Sequence, residues 1–465
     1  MKKQSARNLR RAGELLLLLA LIVIVPSSLP NVSAQVNNLP WLHVEGGRIV
    51  DESGSVVVLR GAAVEDPYYL KYIEKRFDGR DFMELSQNWH VNVIKVPVCP
   101  DLWEHNPNYT QELLDPVVDW GRQYGTYILL GWHADGNPIT GEVPIPDWGS
   151  TPPWSGNPYN PNMTLATRFW NQIAERYKDM PWVIYEIFNE PTYISWQQWR
   201  PVAEQLVDVI QSHNPRATIF VPGVGWGYDL RGVGSDPVQR QNIVYETHPY
   251  PGQGAYVGPW ETFFGYLAGS YPLFAGEWGF VPGSSNWNLN ATAENYGTAL
   301  LEYMANLGMS WAGWSWSASW SPRMLQNWNY QPTTFGQLIK DVLAAGLPTS
   351  AGKIVSVSVS PGSVSGKMTV TFAVTVENTG NIAWSSATVL IKIYRPDGSL
   401  ADTASHRQIH LKNSQIQPGN QYTYETSWKT PSKGSKGVWH YEVFVNSGSV
   451  LIASSTDIAN TITVN

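Results

Sequence analysis

The sequence predicts an α/β protein: a (β/α)8 barrel of the TIM type, followed by a small all-β, immunoglobulin-like sandwich. The first observation is a regular alternation. Apolar runs near residues 57–63, 91–97, 126–132, 183–188, 218–222, 242–248, 271–276 and 309–315 are separated by helix-like stretches near 79–88, 110–124, 165–178, 196–213, 258–268, 291–307 and 333–345. That order builds parallel βα units. The second is that the runs are apolar throughout; from Val183 to Phe188 only Tyr185 and Glu186 interrupt. Strands covered on both faces read this way. The third is a change of composition at Leu347-Pro-Thr-Ser-Ala-Gly-Lys353. Beyond it come period-two runs rich in Val, Ser and Thr, such as Met368-Thr-Val-Thr-Phe-Ala-Val-Thr-Val376, with turns at Pro361-Gly362, Asn378-Thr-Gly380, Pro396-Asp-Gly398 and Pro418-Gly419. A doubly wound open sheet is the rival for the first part, but no Gly-rich phosphate loop follows its first strand.

The 465-residue chain has room for both units and a leader. Residues 1–34 read as a secretory signal peptide. Lys2, Lys3, Arg7, Arg10 and Arg11 form a basic start, Leu15 to Val25 is an apolar run of eleven, and Val32-Ser33-Ala34 is a small-residue cleavage site. The run is too short to span a bilayer. The mature chain is expected to be secreted and extracellular, with no membrane attachment after cleavage, and to act as a monomer. Residues 35–346 are assigned to the barrel, 347–353 to a linker and 354–465 to the sandwich.

Composition narrows the partners. Removing a leader of net charge +4 takes the formal charge from −7 to −11. Such an acidic surface disfavours nucleic acid and leaves a neutral polysaccharide compatible. Cys99 is the sole cysteine, so no intrachain disulfide forms and stability must come from the core. The 23 tryptophans and 23 tyrosines exceed what a core readily satisfies, because each indole N–H needs a partner. Flat sugar faces stack on such rings, which suggests a carbohydrate cleft.

Local signals fill in the elements. Trp41 to Leu59 alternates and turns at Gly46-Gly47 and Ser53-Gly54, a hairpin expected to cap the bottom of the barrel. Ala166, Phe169 and Ile173 keep helical spacing, with Thr164 as a candidate N-cap. Pro191 is expected to stop the ladder of the fourth strand.

Two strands lead into a glutamate. Glu190 follows the fourth run in Ile184-Tyr-Glu-Ile-Phe-Asn-Glu-Pro191, and Glu277 follows the seventh in Tyr271-Pro-Leu-Phe-Ala-Gly-Glu-Trp-Gly279. On a barrel both stand at the strand tips, where such folds place their chemistry. Hydrolysis of a glycosidic bond needs two carboxyl groups, about 5–5.5 Å apart when configuration is retained. Glu190, after Phe188 and Asn189, sits where a carboxyl keeps its proton; Glu277 needs hydrogen-bond donors to remain ionised. No metal or cofactor is implied. His133 and His248 lack ligand spacing with further groups, and no Gly-x-Ser-x-Gly elbow stands in a strand-turn-helix setting.

The ordered segments resemble glycoside hydrolase family 5 enzymes of the cellulase type. They are Gly46-Gly-Arg-Ile-Val-Asp-Glu-Ser-Gly54 with Leu59-Arg-Gly61, Asn92-Val-Ile-Lys-Val-Pro97, Trp132-His-Ala-Asp-Gly-Asn-Pro138, the Glu190 segment, His248-Pro-Tyr250, Gly276-Glu-Trp-Gly279 and Trp314-Ser-Trp316. The resemblance implies a retaining endo-β-1,4-glucanase with Glu190 as acid/base and Glu277 as nucleophile. It further implies that Asn189 bonds the 2-hydroxyl of the reacting sugar, Tyr250 donates to the nucleophile, and His133 and His248 contact substrate or orient the carboxylates. Trp314 would floor the reacting sugar and Trp226 would stack a neighbouring one. One departure stands out. Where the family usually carries an arginine on the second strand, this chain has Lys95, with charge but no bidentate fork. Either Lys95 holds Glu277 or an arginine from another strand does, Arg60 being the candidate. A β-mannanase is the close alternative, and a catalytically inactive carbohydrate-binding surface protein is the alternative of another class. The sandwich reads either as a carbohydrate-binding module using Trp384, Trp428, Trp439, Tyr422 or Tyr424, or as a spacer with those aromatics in its core; the spacer is favoured.

Overall fold

In the computed structural model, eight strands close a barrel: β1 (Arg60–Val64), β2 (Val93–Val98), β3 (Tyr127–Trp132), β4 (Val183–Glu186), β5 (Ile219–Pro222), β6 (Ile243–Thr247), β7 (Leu273–Ala275) and β8 (Ser310–Trp316). All neighbours are parallel, in chain order, and β8 closes on β1. The structure describes residues 39–144, 159–254, 257–345, 352–365, 367–379, 386–405, 409–410, 416–417, 419–430, 436–447, 450–455 and 461–465. The expected leader, most of the expected linker and Trp384 lie outside these residues.

Each predicted run overlaps one barrel strand, because a strand buried on both faces has to be apolar along its length. β4 is the shortest-lived of the predictions. Its barrel ladder ends at Glu186, and Pro191 is not its terminator. Instead Glu190–Pro191 pairs in parallel with Asp135–Gly136, the segment just beyond β3. The main helices are α1 (Arg80–Met83), α2 (Pro100–His105), α3 (Asp115–Tyr124), α4 (Met163–Tyr177), α5 (Trp196–His213), α6 (Val257–Phe263), α7 (Thr298–Asn306) and α8 (Thr334–Ala345). The helical turn Tyr69–Ile73 and α2 escape a sequence reading because each is too short to show a period. For α4 the cap is Asn162, whose side chain accepts the Leu165 N–H at 3.0 Å. Thr164 lies inside the first turn, one residue too late to accept that bond.

The hairpin Leu42–Glu45 and Arg48–Asp51 sits at the N-terminal end of the barrel. Thr218 Oγ1, just before β5, donates to the Leu42 carbonyl at 2.7 Å, and the Val44 N–H reaches Asn242 Oδ1, just before β6, at 3.2 Å. The opposite, C-terminal end is left for the site.

The second hydrophobic core belongs to the sandwich. Gly352–Ser360, Thr369–Asn378 and Gln421–Lys429 form one antiparallel sheet; Ser386–Tyr394, Leu400–Ser405, Gly437–Ser447, Val450–Ser455 and Thr461–Val464 belong to the other. The first strand takes in the last two residues of the expected linker. Tyr424, Trp428 and Trp439 are buried among Val370, Phe372 and Tyr441, so alternation sends these aromatics inward. Tyr422 stays exposed at the end of its strand. Among the described residues no helix is long and apolar enough to cross a membrane.

Candidate active site

Single charged residues inside apolar strands point into the barrel and meet there. Lys95 of β2 is fully buried. Its Nζ lies 3.0 Å from Glu186 Oε1 of β4, 3.1 Å from Glu246 Oε1 of β6 and 3.5 Å from Glu277 Oε1 beyond β7. It also donates to Asn189 Oδ1 at 3.3 Å. Two glycines make room for this cluster. A Cβ on Gly131 of β3 would collide with the Glu186 carboxylate, and one on Gly276 with that of Glu246.

His248, just past β6, links this inner layer to the outer one. Its Nε2 lies 3.1 Å from Glu246 Oε1, and its Nδ1 lies 3.0 Å from Glu190 Oε1 and 4.0 Å from Glu277 Oε2. The Tyr250 hydroxyl donates to Glu277 Oε2 at 3.0 Å. One carboxylate oxygen of Glu190, one of Glu277 and a nitrogen of His248 all lie within 4.8 Å of one another. Asn189 is fixed from both ends, its Nδ2 donating to Asp135 Oδ1 at 2.9 Å. Asp135 and Glu190 belong to the paired segments Asp135–Gly136 and Glu190–Pro191, so this short ladder sets the acid's backbone.

The charges follow from burial and proximity. Burial alone would neutralise Lys95, but Glu186, Glu246 and Glu277 outweigh it and hold its ammonium well above the usual lysine range. Burial likewise opposes a charge on His248, yet Glu277, Glu190 and Glu246 lift it to about 10, so the ring is an imidazolium at neutral pH. Burial and the neighbouring Glu246 push Glu186 up to about 8. Glu246 goes the other way, its burial overcome by Lys95 and His248. For Glu277 burial outweighs the pull of His248 and Lys95, so its carboxyl stays above the usual range. Burial, with Glu277 and Glu190 nearby, holds the Tyr250 phenol well above its usual range, so it remains a donor. His133 is driven well below the ordinary histidine value by burial and by the charges of Lys95 and His248; it is a neutral ring. At neutral pH the cluster around Lys95 thus holds two cations, Lys95 and His248, with Glu246 the carboxyl most favoured as an anion and Glu186 the one readiest to carry a proton.

Aromatic rings flank the acids. Trp314, on β8, is 8% exposed and lies parallel to His133, ring centroids 5.2 Å apart and planes 10° apart. Trp320 follows at 5.8 Å and 29°. On the other flank Trp226 sits in the turn after β5 with φ of 64°, edge-on to Tyr193 at 6.4 Å. Tyr193 is 53% exposed with φ of 55°, and its carbonyl accepts from Asn137 Nδ2 at 2.8 Å. A non-glycine residue in the left-handed region is uncommon and marks a fixed turn.

Of the ten residues singled out from sequence, eight converge: Glu190, Glu277, Asn189, His133, His248, Tyr250, Trp314 and Lys95. Trp226 stands on an adjoining turn. Arg60 does not belong. It opens β1 at the N-terminal end, a barrel length from the acids, and burial lowers its guanidinium to about 10. Lys95, not Arg60, reaches Glu277. Glu186, Glu246 and Asp135 were missed. Their signal was present, since Glu186 and Glu246 each interrupt an apolar strand as Lys95 does.

Among the described residues, three groups bring ligand-type atoms within 4.8 Å of one another. In the two that contain His248 both ring nitrogens already face carboxylates, and an imidazolium has no lone pair to offer a metal. The third, Asp101, Glu104 and His105, lies on α2 and includes neither of the two acids.

Comparison with known proteins agrees with this geometry. The family model Cellulase (glycosyl hydrolase family 5) matches residues 50–319, and the CARDB model matches 353–463. Endoglucanase N of Pectobacterium atrosepticum is 26% identical over 336 residues, covering 67% of each chain. Endoglucanase E-5 of Thermobifida fusca is 24% identical over 308 residues, 63% of this chain and 59% of its own length. Among solved structures, a β-glucanase from Saccharophagus degradans superposes with a TM-score of 0.61 at 28% identity, covering 67% of this chain and 94% of that one. The same enzyme in complex with cellotetraose gives 0.61 at 27%, with the same coverage. The barrel, the two glutamates at its strand tips and a family match over more than half the sequence lead to one assignment: the chain belongs to the cellulase family, glycosyl hydrolase family 5, and carries a C-terminal CARDB domain.

Proposed function

We propose that this protein is a secreted, retaining endo-β-1,4-glucanase in which Glu277 is the nucleophile and Glu190 the acid/base. The observation that carries the reading is the approach of the Glu190 and Glu277 carboxylate oxygens to within 4.8 Å, with His248 between them. Double displacement needs carboxyl groups about 5–5.5 Å apart, whereas inversion needs ~6.5–9.5 Å to admit a water.

The surroundings support distinct roles. Glu277 faces Lys95, His248 and the Tyr250 hydroxyl, groups that favour its anion as it attacks the anomeric carbon. Glu190 offers Oε1 to His248 and keeps its second oxygen for the proton given to the leaving sugar. Once the covalent glycosyl-enzyme forms, the Glu277 charge is consumed and the imidazolium of His248 beside ionised Glu190 becomes the main local attraction. Glu190 then takes a proton from water and the intermediate hydrolyses with net retention. Asn189, held by Lys95 and Asp135, presents its amide for the 2-hydroxyl. A β-glucan substrate is supported by the cellotetraose complex of the Saccharophagus degradans relative and by the endoglucanase relatives.

The test is product analysis on defined β-1,4-linked gluco-oligosaccharides, with the anomer first released followed by NMR. The β-anomer from internal cuts is expected. The α-anomer would overturn retention, faster turnover of mannan oligosaccharides would move the substrate, and binding without cleavage would favour a carbohydrate-binding protein.

A further inference from the structure

The row of rings on the β8 side is anchored by a buried acid that takes no part in the double displacement. Glu65, the residue after β1, has no exposed surface. Its Oε1 accepts from the Ser317 hydroxyl and, at 3.1 Å, from that of Ser319. Ser317 Oγ in turn accepts the N–H groups of Ser319 at 2.8 Å and Trp320 at 2.6 Å, so one hydroxyl closes the turn that carries Trp320. The Ser315 hydroxyl donates to the Trp320 carbonyl at 3.2 Å. Thus placed, the Trp320 indole lies beside Trp314 and meets Tyr69 edge-on at 5.1 Å. The rings His133, Trp314, Trp320 and Tyr69 form a continuous series of neighbours.

We propose that Glu65 is a positioning residue for sugar binding: through Ser317 it fixes Trp320 against Trp314 and Tyr69, giving a platform for β-1,4-linked glucosyl units beyond the one being cleaved. This rests on the glucanase reading above. A second observation bears on how the clamp is regulated. The Ser319 hydroxyl has one hydrogen but lies near two carboxylates, Glu65 Oε1 and, at 2.8 Å, Glu74 Oε1. Glu65 Oε2 is buried with no hydrogen-bond partner among the described residues. Both facts favour a protonated Glu65, and burial places its carboxyl at about 7. The titratable groups facing it are Glu74, Asp81 (paired with Arg76 at 2.8 Å) and Tyr69. When Glu65 ionises the bond from Ser317 strengthens, but Glu65 and Glu74 then repel across Ser319, whose one hydrogen cannot serve both carboxylates; that bridge loosens, and the platform weakens.

The experiment measures cellotetraose binding by calorimetry to the full chain carrying Glu277→Ala, with kcat and KM taken on the active background, at about pH 5 and about pH 8, on either side of that titration. The parent is expected to lose affinity at the higher pH by on the order of fivefold, the scale of one aromatic contact. Glu65→Gln, which bonds Ser317 but cannot ionise, should hold the same affinity at both. Glu65→Ala and Ser317→Ala should raise KM severalfold at both, with kcat changed less than about twofold. Identical pH dependence in the parent and Glu65→Gln, or unchanged KM in Glu65→Ala, overturns the proposal. Should Glu65→Ala fail to fold, Glu65→Gln decides alone. If the parent neither binds nor cleaves cellotetraose, the glucanase reading falls as well; binding that is indifferent to Glu65 removes this proposal only.

Discussion

Replacing Lys95 with methionine keeps the apolar stem and removes the charge, so it isolates what the cation does. At 3.5 Å from Glu277 Oε1, with an effective dielectric of about 20, the attraction is about 5 kcal/mol. Relaxation absorbs part of that, and an opposite charge at such a distance shifts a carboxyl by about 1–3 pK units in practice. Without Lys95 the burial that already raises the Glu277 carboxyl is opposed by His248 and the Tyr250 hydroxyl alone. The group left less favourable as an anion is Glu277, the proposed nucleophile. In Lys95→Met the acidic limb of the kcat/KM profile on cellotetraose should therefore move up by about 1–3 pH units. Below that limb the rate falls about tenfold for each unit, because only the ionised fraction attacks. Denaturant unfolding should show a loss of about 3–5 kcal/mol, the cost of stripping one partner from a buried ion cluster. An acidic limb unmoved from that of the parent would refute the claim that Lys95 keeps Glu277 charged. A shifted limb with unchanged stability would show that the buried acids relax more freely than their packing suggests.

Further outcomes follow from the same geometry. Glu190→Ala should lose about 10²–10⁴-fold in kcat on oligosaccharides, with less loss on aryl glycosides whose leaving group needs no proton. In Glu277→Ala, azide should restore turnover as the α-glycosyl azide, read by NMR; a β-azide would reverse the two roles. His248 is raised from about 6.5 to about 10, so its contribution to stability is complete below the lower value and lost as pH rises through the upper one. His248→Asn should flatten the fall in unfolding free energy across that window, and an unchanged slope would refute the assignment. Gly276→Ala places a methyl on the Glu246 carboxylate and should destabilise by about 1–3 kcal/mol, as overpacking does. A fragment of residues 353–465 should not be retained on insoluble cellulose, since Tyr424, Trp428 and Trp439 are core; retention would restore the binding-module reading.

Most of the barrel was readable because its strands are buried on both faces. An unbroken apolar run cannot hide, and each of the eight predicted runs falls on a strand. What escaped is decided by neighbours distant in sequence. Nothing near Glu186 or Glu246 announces that Lys95 will sit between them, since the three come from separate strands. Arg60 was weighed as a partner for Glu277 because the predicted run near 57–63 put it in mid-strand, whereas the strand begins at Arg60. Pro191 read as a stop, yet it continues a two-residue ladder whose partner lies 55 positions back at Gly136. Of the sandwich aromatics, Tyr424, Trp428 and Trp439 went to the core as the spacer reading expected, while Tyr422, of the same parity as Tyr424, stays exposed near its strand's start, a difference that spacing alone does not give.

The ladder between Asp135–Gly136 and Glu190–Pro191 bears on how this enzyme could be recombined with its relatives. The Glu190 N–H bonds the Ala134 carbonyl, and the Thr192 N–H bonds that of Gly136. Two largely buried segments separated by α4 and β4 are thus stitched into a single cassette. A chimera whose crossover falls between residues 136 and 190 would join halves from two parents that never evolved to fit, and would misplace Glu190, the proposed proton donor, even if every site side chain were kept. Crossovers outside that interval leave the cassette whole.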